Sequence, residues 1–312
     1  MRLLDKKMNL FLVCVLSVLF SSAAFAQWNF VGGVNADPSV VPGAVSFNGK
    51  QYIFFQKTTD DDIGYITTSS GTGGSFSGVT TLATIATNPE PGAIVYQNRL
   101  FLFYGENGGS KRLFFKHMDT AGTWSAEFQV PGASTQRRPG LAVFNNKIYI
   151  FWETAGSNNN IRYVSMDFNA ISAVSIVPSS KTTRAPSAAV FNGRCYLVYA
   201  GESGSIPHIW FTSMASNGTW SSEKRISGSP RTSFAPYALA VGAELHVFYT
   251  GATTYSFLRK RMNAFESWSG EEWLFGLGAF GGVTANFFGS NLWITNPGNT
   301  GTYPRSIAWI TY

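Results

Sequence analysis

The chain has 312 residues, 45% hydrophobic, 15% aromatic and only 13% charged, with a formal net charge of +6. The cations are scattered rather than gathered into a basic stripe, which argues against a nucleic-acid groove. Two cysteines, Cys14 and Cys195, are too few for a disulfide scaffold, so the chain must be held by its core, and a chain this long can build one.

In chain order, residues 1–26 come first. They carry Arg2, Lys6 and Lys7, an apolar run from Leu10 to Phe20, and Ala24 and Ala26 around Phe25. This is the pattern of a cleaved secretory signal, so an exported mature chain starting at Gln27 is expected. The apolar run falls short of the ~20 residues of a bilayer span and no later segment comes close, so membrane insertion is not expected. Cleavage removes Cys14 and leaves Cys195, read as a small buried hydrophobe.

From residue 27 to 312 one phrase recurs six times: a proline or glycine, a short apolar strand, a tight turn and a second apolar strand. Its anchors are Pro42, Pro91, Pro139, Pro186, Pro236 and Gly282, 46 to 50 residues apart. That period suits one four-stranded propeller blade. Asn48-Gly49 and Asn192-Gly193 separate the first two strands, as a two-residue hairpin with positive φ at both turn residues requires. The second strands, such as Leu100 to Tyr104 and Ile148 to Trp152, are continuously apolar, which implies burial on both faces. Third strands are expected at Ile63 to Thr67, Arg112 to Lys116, Ile161 to Ser165, Ile209 to Ser213, Phe257 to Arg261 and Ile307 to Thr311. Fourth strands are announced by Trp124, Trp220 and Trp268, with Phe76 in a weaker copy; these tryptophans read as packing residues. The last repeat runs out of chain, and Gln27 to Gly33 is expected to supply its missing strand. The fold expected is therefore all-β: one six-bladed β-propeller of four-stranded antiparallel blades, ring closed by the N-terminal strand joining the C-terminal blade, with no exposed sheet edge.

Two places could hold a ligand. The residues just before the anchors, Val41, Glu90, Arg138, Ala185, Ala235 and Gly281, should line the mouth of the central channel. Glu90 and Arg138 form the charged pair there, which equally suits a plain salt bridge at a rim. The second place repeats: an acid near the end of strand two and a nitrogen donor near the start of strand three, as Glu106 with Arg112, Glu153 with Arg162, and Glu202 with His208. Such groups beside an aromatic face suit a neutral sugar, whose hydroxyls take bidentate hydrogen bonds and whose C–H face lies on a ring. Trp152 and Trp210 are the candidate stacking faces. Solvated hairpin ends remain the other reading of these charges.

Met118-Asp-Thr-Ala-Gly-Thr-Trp124 and Met214-Ala-Ser-Asn-Gly-Thr-Trp220 resemble the Asp-box turn of sialidase-like propellers, with Thr120 and Ser216 at its aspartate position. The whole repeat resembles the six-bladed fucose-binding lectins. In those lectins an Arg, a Glu and an aromatic from neighbouring strands hold the sugar. The resemblance thus implies these roles for Arg112, Glu106, Arg162, Glu153, His208 and Glu202, in a carbohydrate-binding propeller with glycan partners and no catalytic residues.

A glycoside hydrolase is the alternative. A sialidase needs three converging arginines, and Arg138-Pro139 resembles the first arginine motif of that family, with Arg184 and Arg231 as further candidates. Asp37-Pro38 resembles the general-base motif of arabinanase-type glycosidases, although Val41 stands where the aspartate would be. A propeller that binds proteins through a flat face is a third reading. No metal or cofactor is expected: His117, His208 and His246 lie in three different repeats without zinc spacing, and Asp60 to Asp62 read as a solvated hairpin tip.

Overall fold

The tight turns behave as their sequences demand. Asn48 and Gly49 have φ of 46° and 71°, Asn192 and Gly193 47° and 69°, and Gln97-Asn98 and Asn145-Asn146 also take positive φ at both positions. Each such turn joins the first and second strands of an antiparallel sheet, Gly43–Phe47 with Lys50–Gln56 in the first repeat. The computed structural model describes residues 29–31, 36–37, 39–71, 75–82, 90–106, 109–154, 158–168, 170–202, 206–253, 256–275, 281–300 and 303–311. The predicted signal, 1–26, lies outside them.

The described residues form six four-stranded antiparallel sheets. Five are built from consecutive strands: blade 1 (43–82), blade 2 (92–134), blade 3 (140–181), blade 4 (187–225) and blade 5 (237–275). The sixth is composite. Strands Thr284–Phe288, Asn291–Thr300 and Tyr303–Thr311 are completed by Asn29–Val31, with Asn29 opposite Trp309 and Val31 opposite Ile307. The expected ring closure is thus present, and the first strand of blade 6 packs on that of blade 1 as other neighbours do.

First strands face the axis and approach closely, which is what the Pro-Gly anchor is for. A Cβ on Gly43 would sit 2.5 Å from the Pro91 carbonyl oxygen, and one on Gly140 2.9 Å from that of Pro186. Only glycine allows contact this tight. Second strands are buried on both faces: Leu100, Leu102, Phe103 and Tyr104 are inaccessible to solvent. Their side chains feed core clusters that each span two blades, so the core is a ring of sheet-to-sheet interfaces.

Those interfaces repeat a short device just before the fourth strand, Trp-Ser-x-Glu. Trp124 of blade 2 packs on Phe54 and Tyr65 of blade 1, Trp220 of blade 4 on Phe151 and Tyr163 of blade 3, and Trp268 of blade 5 on Phe211 of blade 4. Ser125, Ser221 and Ser269 each accept a third-strand backbone N–H at 3.0 Å. Glu127 and Glu223 accept hydrogen bonds from the buried Tyr104 and Tyr199 hydroxyls at 2.7 and 2.5 Å, and Glu271 accepts one from Tyr249. A buried hydroxyl without such a partner would be costly, so the glutamate is the tyrosine's counterpart. The tryptophans are packing residues, as read from the sequence.

Cys195 is fully buried in blade 4, where burial pushes its thiol up to about 12, so it is not a reactive cysteine. No helix among the described residues is long and apolar enough to cross a membrane.

Candidate functional site

The repeated acid–donor pairs come out differently in each blade. In blade 2, Glu106 and Arg112 form a bidentate pair, with Arg112 Nη2 2.8 Å and Nε 2.9 Å from the carboxylate; the Arg112 backbone N–H also donates to it. The guanidinium lies over Phe114, 5.3 Å from its centroid. This hydrogen bonding holds the Glu106 carboxyl below the usual range. The pair exists as expected, but its two members saturate each other at a solvated hairpin end.

In blade 3 the expected pair does not form. Glu153 is 5% exposed and accepts from Thr135 Oγ1 at 2.5 Å and from the Gln136 N–H at 3.3 Å. Arg162 stands opposite Trp152 and Ile176 in the sheet, whereas Glu153 stands opposite Ile161. Side chains of adjacent residues leave a strand on opposite faces, so Glu153 and Arg162 project apart. In blade 4, Glu202 accepts from Asn159 at 2.8 Å and lies 3.6 Å from Lys181, both in blade 3. His208 instead places Nδ1 3.2 Å from the Ser229 carbonyl.

The cause is offset. Glu153 is the fourteenth residue after its anchor, Glu106 the fifteenth and Glu202 the sixteenth. With a period of two, one residue of offset exchanges the faces, so three acids that look alike in sequence are not equivalent in space. The stacking faces are corrected likewise. Trp152 is 1% exposed and takes the core position held by Tyr104 and Tyr199 in neighbouring blades. Trp210 is half-buried, with Arg225 over its ring at 5.1 Å and the Gly201 backbone against its indole N–H.

The channel mouth is the more open site. A cavity of about 210 Å³ is lined by Ser39, Val41, Glu90, Arg137, Arg184, Ala185, Ser233, Phe234, Ala235, Gly281 and Gly282. Five of the six positions expected to line it do so. The exception is Arg138, which lies deeper. It is 3% exposed and crosses the axis from blade 3, with its guanidinium 5.2 Å from the Tyr237 ring of blade 5 and 3.4 Å from the Val283 carbonyl before blade 6. Arg138 therefore forms the floor of the mouth.

The arginines that line the mouth, Arg137 and Arg184, sit two residues before their anchors on a shared turn. Thr135 Oγ1 accepts the Arg137 N–H and Thr182 Oγ1 that of Arg184, both at 3.0 Å; Thr232 does the same for Phe234. Such hydroxyl turns fix a loop without regular structure. Arg184 Nε donates to the Ser233 carbonyl at 2.8 Å, whereas the Arg137 guanidinium has no ion pair or hydrogen bond among the described residues. Thr135-x-Arg137-x-Pro139 and Thr182-x-Arg184-x-Pro186 carry this signal in the sequence, and reading one position per blade missed it.

The mouth is electrostatically unsettled. Burial raises the Glu90 carboxyl above the usual range, with Arg138 and Arg137 opposing, and its Oε2 is buried without a partner. Burial pushes Glu153 up to about 7, against its hydrogen bond from Thr135, with Glu90 adding like-charge repulsion. Arg184 is lowered by burial and by Arg137. Two carboxyls and three guanidiniums thus share one end of the channel, and their hydrogen-bonding capacity is only partly used within the chain. Among the described residues no group of three or more His, Cys, Asp or Glu could hold a metal ion; at the hairpin tip Asp60 pairs with Lys57 at 2.6 Å.

Fold and site together define a six-bladed β-propeller with a charged channel mouth. No protein-family model matches the chain, and neither does any curated protein sequence. Among solved structures it is similar to the six-bladed fucose-recognising lectin of Aleuria aurantia, with 15% identity and a TM-score of 0.58 over 77% of this chain and 80% of that one. The BP39L lectin of Burkholderia pseudomallei has 12% identity and a TM-score of 0.62 over 88% and 82%. The Trypanosoma rangeli sialidase has 9% identity and a TM-score of 0.64, over 91% of this chain but only 59% of the sialidase. At these identities the similarity establishes the propeller fold.

Proposed function

We propose that the chain is an exported, non-catalytic carbohydrate-binding propeller whose principal sugar site is the channel mouth. The observation that carries this reading is the cavity itself: Glu90 and the unpaired Arg137 guanidinium line the same 210 Å³ space. Planar donors and acceptors of this kind take sugar hydroxyls two at a time. With Arg184 beside them, guanidinium outnumbers carboxylate in the lining, which favours a sugar bearing a carboxylate. The sugar-binding and sugar-cleaving propellers among its structural neighbours support the ligand class. The solvated pair Glu106–Arg112 is left as a secondary, weaker contact that would act only through avidity on a multivalent surface.

A second reading, a glycoside hydrolase, is favoured by one observation: Glu90 and Glu153 are both raised, as a general acid must be. A glycan array run beside a panel of chromogenic glycosides separates the two. Selective retention on a terminal acidic sugar without turnover supports binding. Turnover abolished in Glu90→Gln would establish hydrolysis instead, and silence in both assays would refute a sugar ligand.

A further inference from the structure

Blade 3 departs from the Trp-Ser-x-Glu device at both ends. Its version reads Ile171-Ser172-Ala173-Val174. Ser172 still accepts the Ser165 N–H at 3.0 Å, and the bridge from Met166 to Ile171 matches those from Met118, Met214 and Met262 to Trp124, Trp220 and Trp268. The bridge and its serine are thus kept, while the turn that leads to them is one residue shorter, with Asp167 N–H bonded to the Ala170 carbonyl where Asp119 N–H reaches Thr123. At the glutamate end the change is compensated, because Trp152 replaces the tyrosine and needs no acceptor for a hydroxyl, and Val174 joins the same apolar cluster. At the tryptophan end it is not. The ring pair Phe103 and Phe115 of blade 2 stands 5.4 Å apart, as Phe54 and Tyr65 or Phe151 and Tyr163 do beneath their tryptophans, yet no indole covers it.

A cavity of about 250 Å³ adjoins this pair at Phe115 and runs on past Phe101 and His117, with Phe128, Phe168 and Ile171 among its other walls. That is far above the roughly 10–15 Å³ that one water needs. Phe128 stacks on Phe115 at 5.4 Å and on His117 at 6.2 Å, and Phe168 approaches Phe101 at 5.7 Å and His117 edge-on at 6.4 Å. Phe128 and Phe168 are 46% and 44% exposed, so the site opens to solvent between its walls. His117 Nδ1 is buried with no hydrogen-bond partner. An apolar slot with one convergent polar atom is the form of a small-molecule site.

We infer that the interface between blades 2 and 3 is a binding site for a planar aromatic molecule of indole size, separate from the channel mouth. The occupant is set by the molecule's own architecture: three other interfaces carry the indole of Trp124, Trp220 or Trp268 at the bridge position that Ile171 holds beside this cavity. An aromatic guest gains ring contacts with Phe115, Phe128 and Phe168 and can offer its N–H or a ring hydroxyl to His117.

Indole is the probe. Saturation-transfer NMR and calorimetry with the purified chain should show saturable binding of indole, and Ile171→Trp, which supplies the missing side chain, should weaken it at least about tenfold while raising the melting temperature. Phe128→Ala, at an exposed wall, should weaken it as well and decides the matter if Ile171→Trp does not fold. Glycan retention should be unaffected by saturating indole, so this site stands or falls separately from the channel mouth. No saturable binding of indole, or unchanged affinity in the variant that folds, would overturn the inference.

Discussion

The channel mouth and the outer wall of the ring use the same residue types, glutamate, arginine and aromatics, to different ends. On the outer wall charges are paired off locally: Glu106 with Arg112, Glu272 with both Arg259 and Arg261, and Glu127 with the hydroxyl of Tyr104. Trp124, Trp220 and Trp268 each have a ring pair or ring of the neighbouring blade. At the mouth, five charged groups converge from blades 2, 3 and 4 and their edges, and the local pairing is incomplete. The difference teaches that frequency in a repeat marks what every blade needs to pack, whereas the residues that occur in one or two blades are those free to bind.

The largest effect that would sharpen this contrast is on stability. Trp220→Ala removes the wedge on Phe151 and Tyr163 and should cost about 3 kcal/mol in urea unfolding, with glycan retention unchanged below the new melting point. A loss of retention in the folded variant would place ligand binding on the outer wall.

Next comes pH. Glu153 keeps its proton up to about 7 when folded but ionises near 4.5 once unfolded. The folded state therefore binds the extra proton between those values, and stability falls as pH rises through that window. Glu153→Gln should flatten this part of the profile and gain on the order of 2 kcal/mol at pH 8, measured as melting temperature against pH. A profile identical to wild type would show that Glu153 is not held protonated.

Binding follows. Arg137→Ala should lower affinity for the retained glycan at least about tenfold, equivalent to about 1.4 kcal/mol, without changing the melting temperature much. The smallest expected effect is on the other side of the comparison: Glu106→Ala should leave both single-site glycan affinity and melting temperature within error, because an exposed ion pair contributes little.

The sequence carried the ring almost completely. Anchors and apolar second strands are local signals that recur from repeat to repeat, Asn-Gly turns mark two of the hairpins, and repetition averages out the ambiguity of any one copy, while the closing strand 29–31 follows from the fourth strand that the last repeat lacks. The candidate sites were only partly legible. Val41, Glu90, Ala185, Ala235 and Gly281 line the mouth because their distance from a rigid anchor fixes their direction. Arg138 obeys the same rule but has a long side chain, which spans the axis to Tyr237 and becomes floor instead of lining. Glu153 and Arg162 read as a pair because they are close in sequence, yet strand alternation separates them; which face a strand end presents depends on a one-residue offset that composition hides. Trp152 looked free of the repeat because its position usually holds tyrosine, and only the sheet shows that it fills the same core place.

The measurement that tests the central claim most directly is a crystal structure of the mature chain with the best-retained glycan from the array. The account predicts sugar density in the channel mouth, with hydroxyl or carboxylate oxygens within hydrogen-bonding distance of Arg137, Arg184 and Glu90. Sugar seated instead at the Glu106–Arg112 hairpin, with the mouth holding only water, would contradict it.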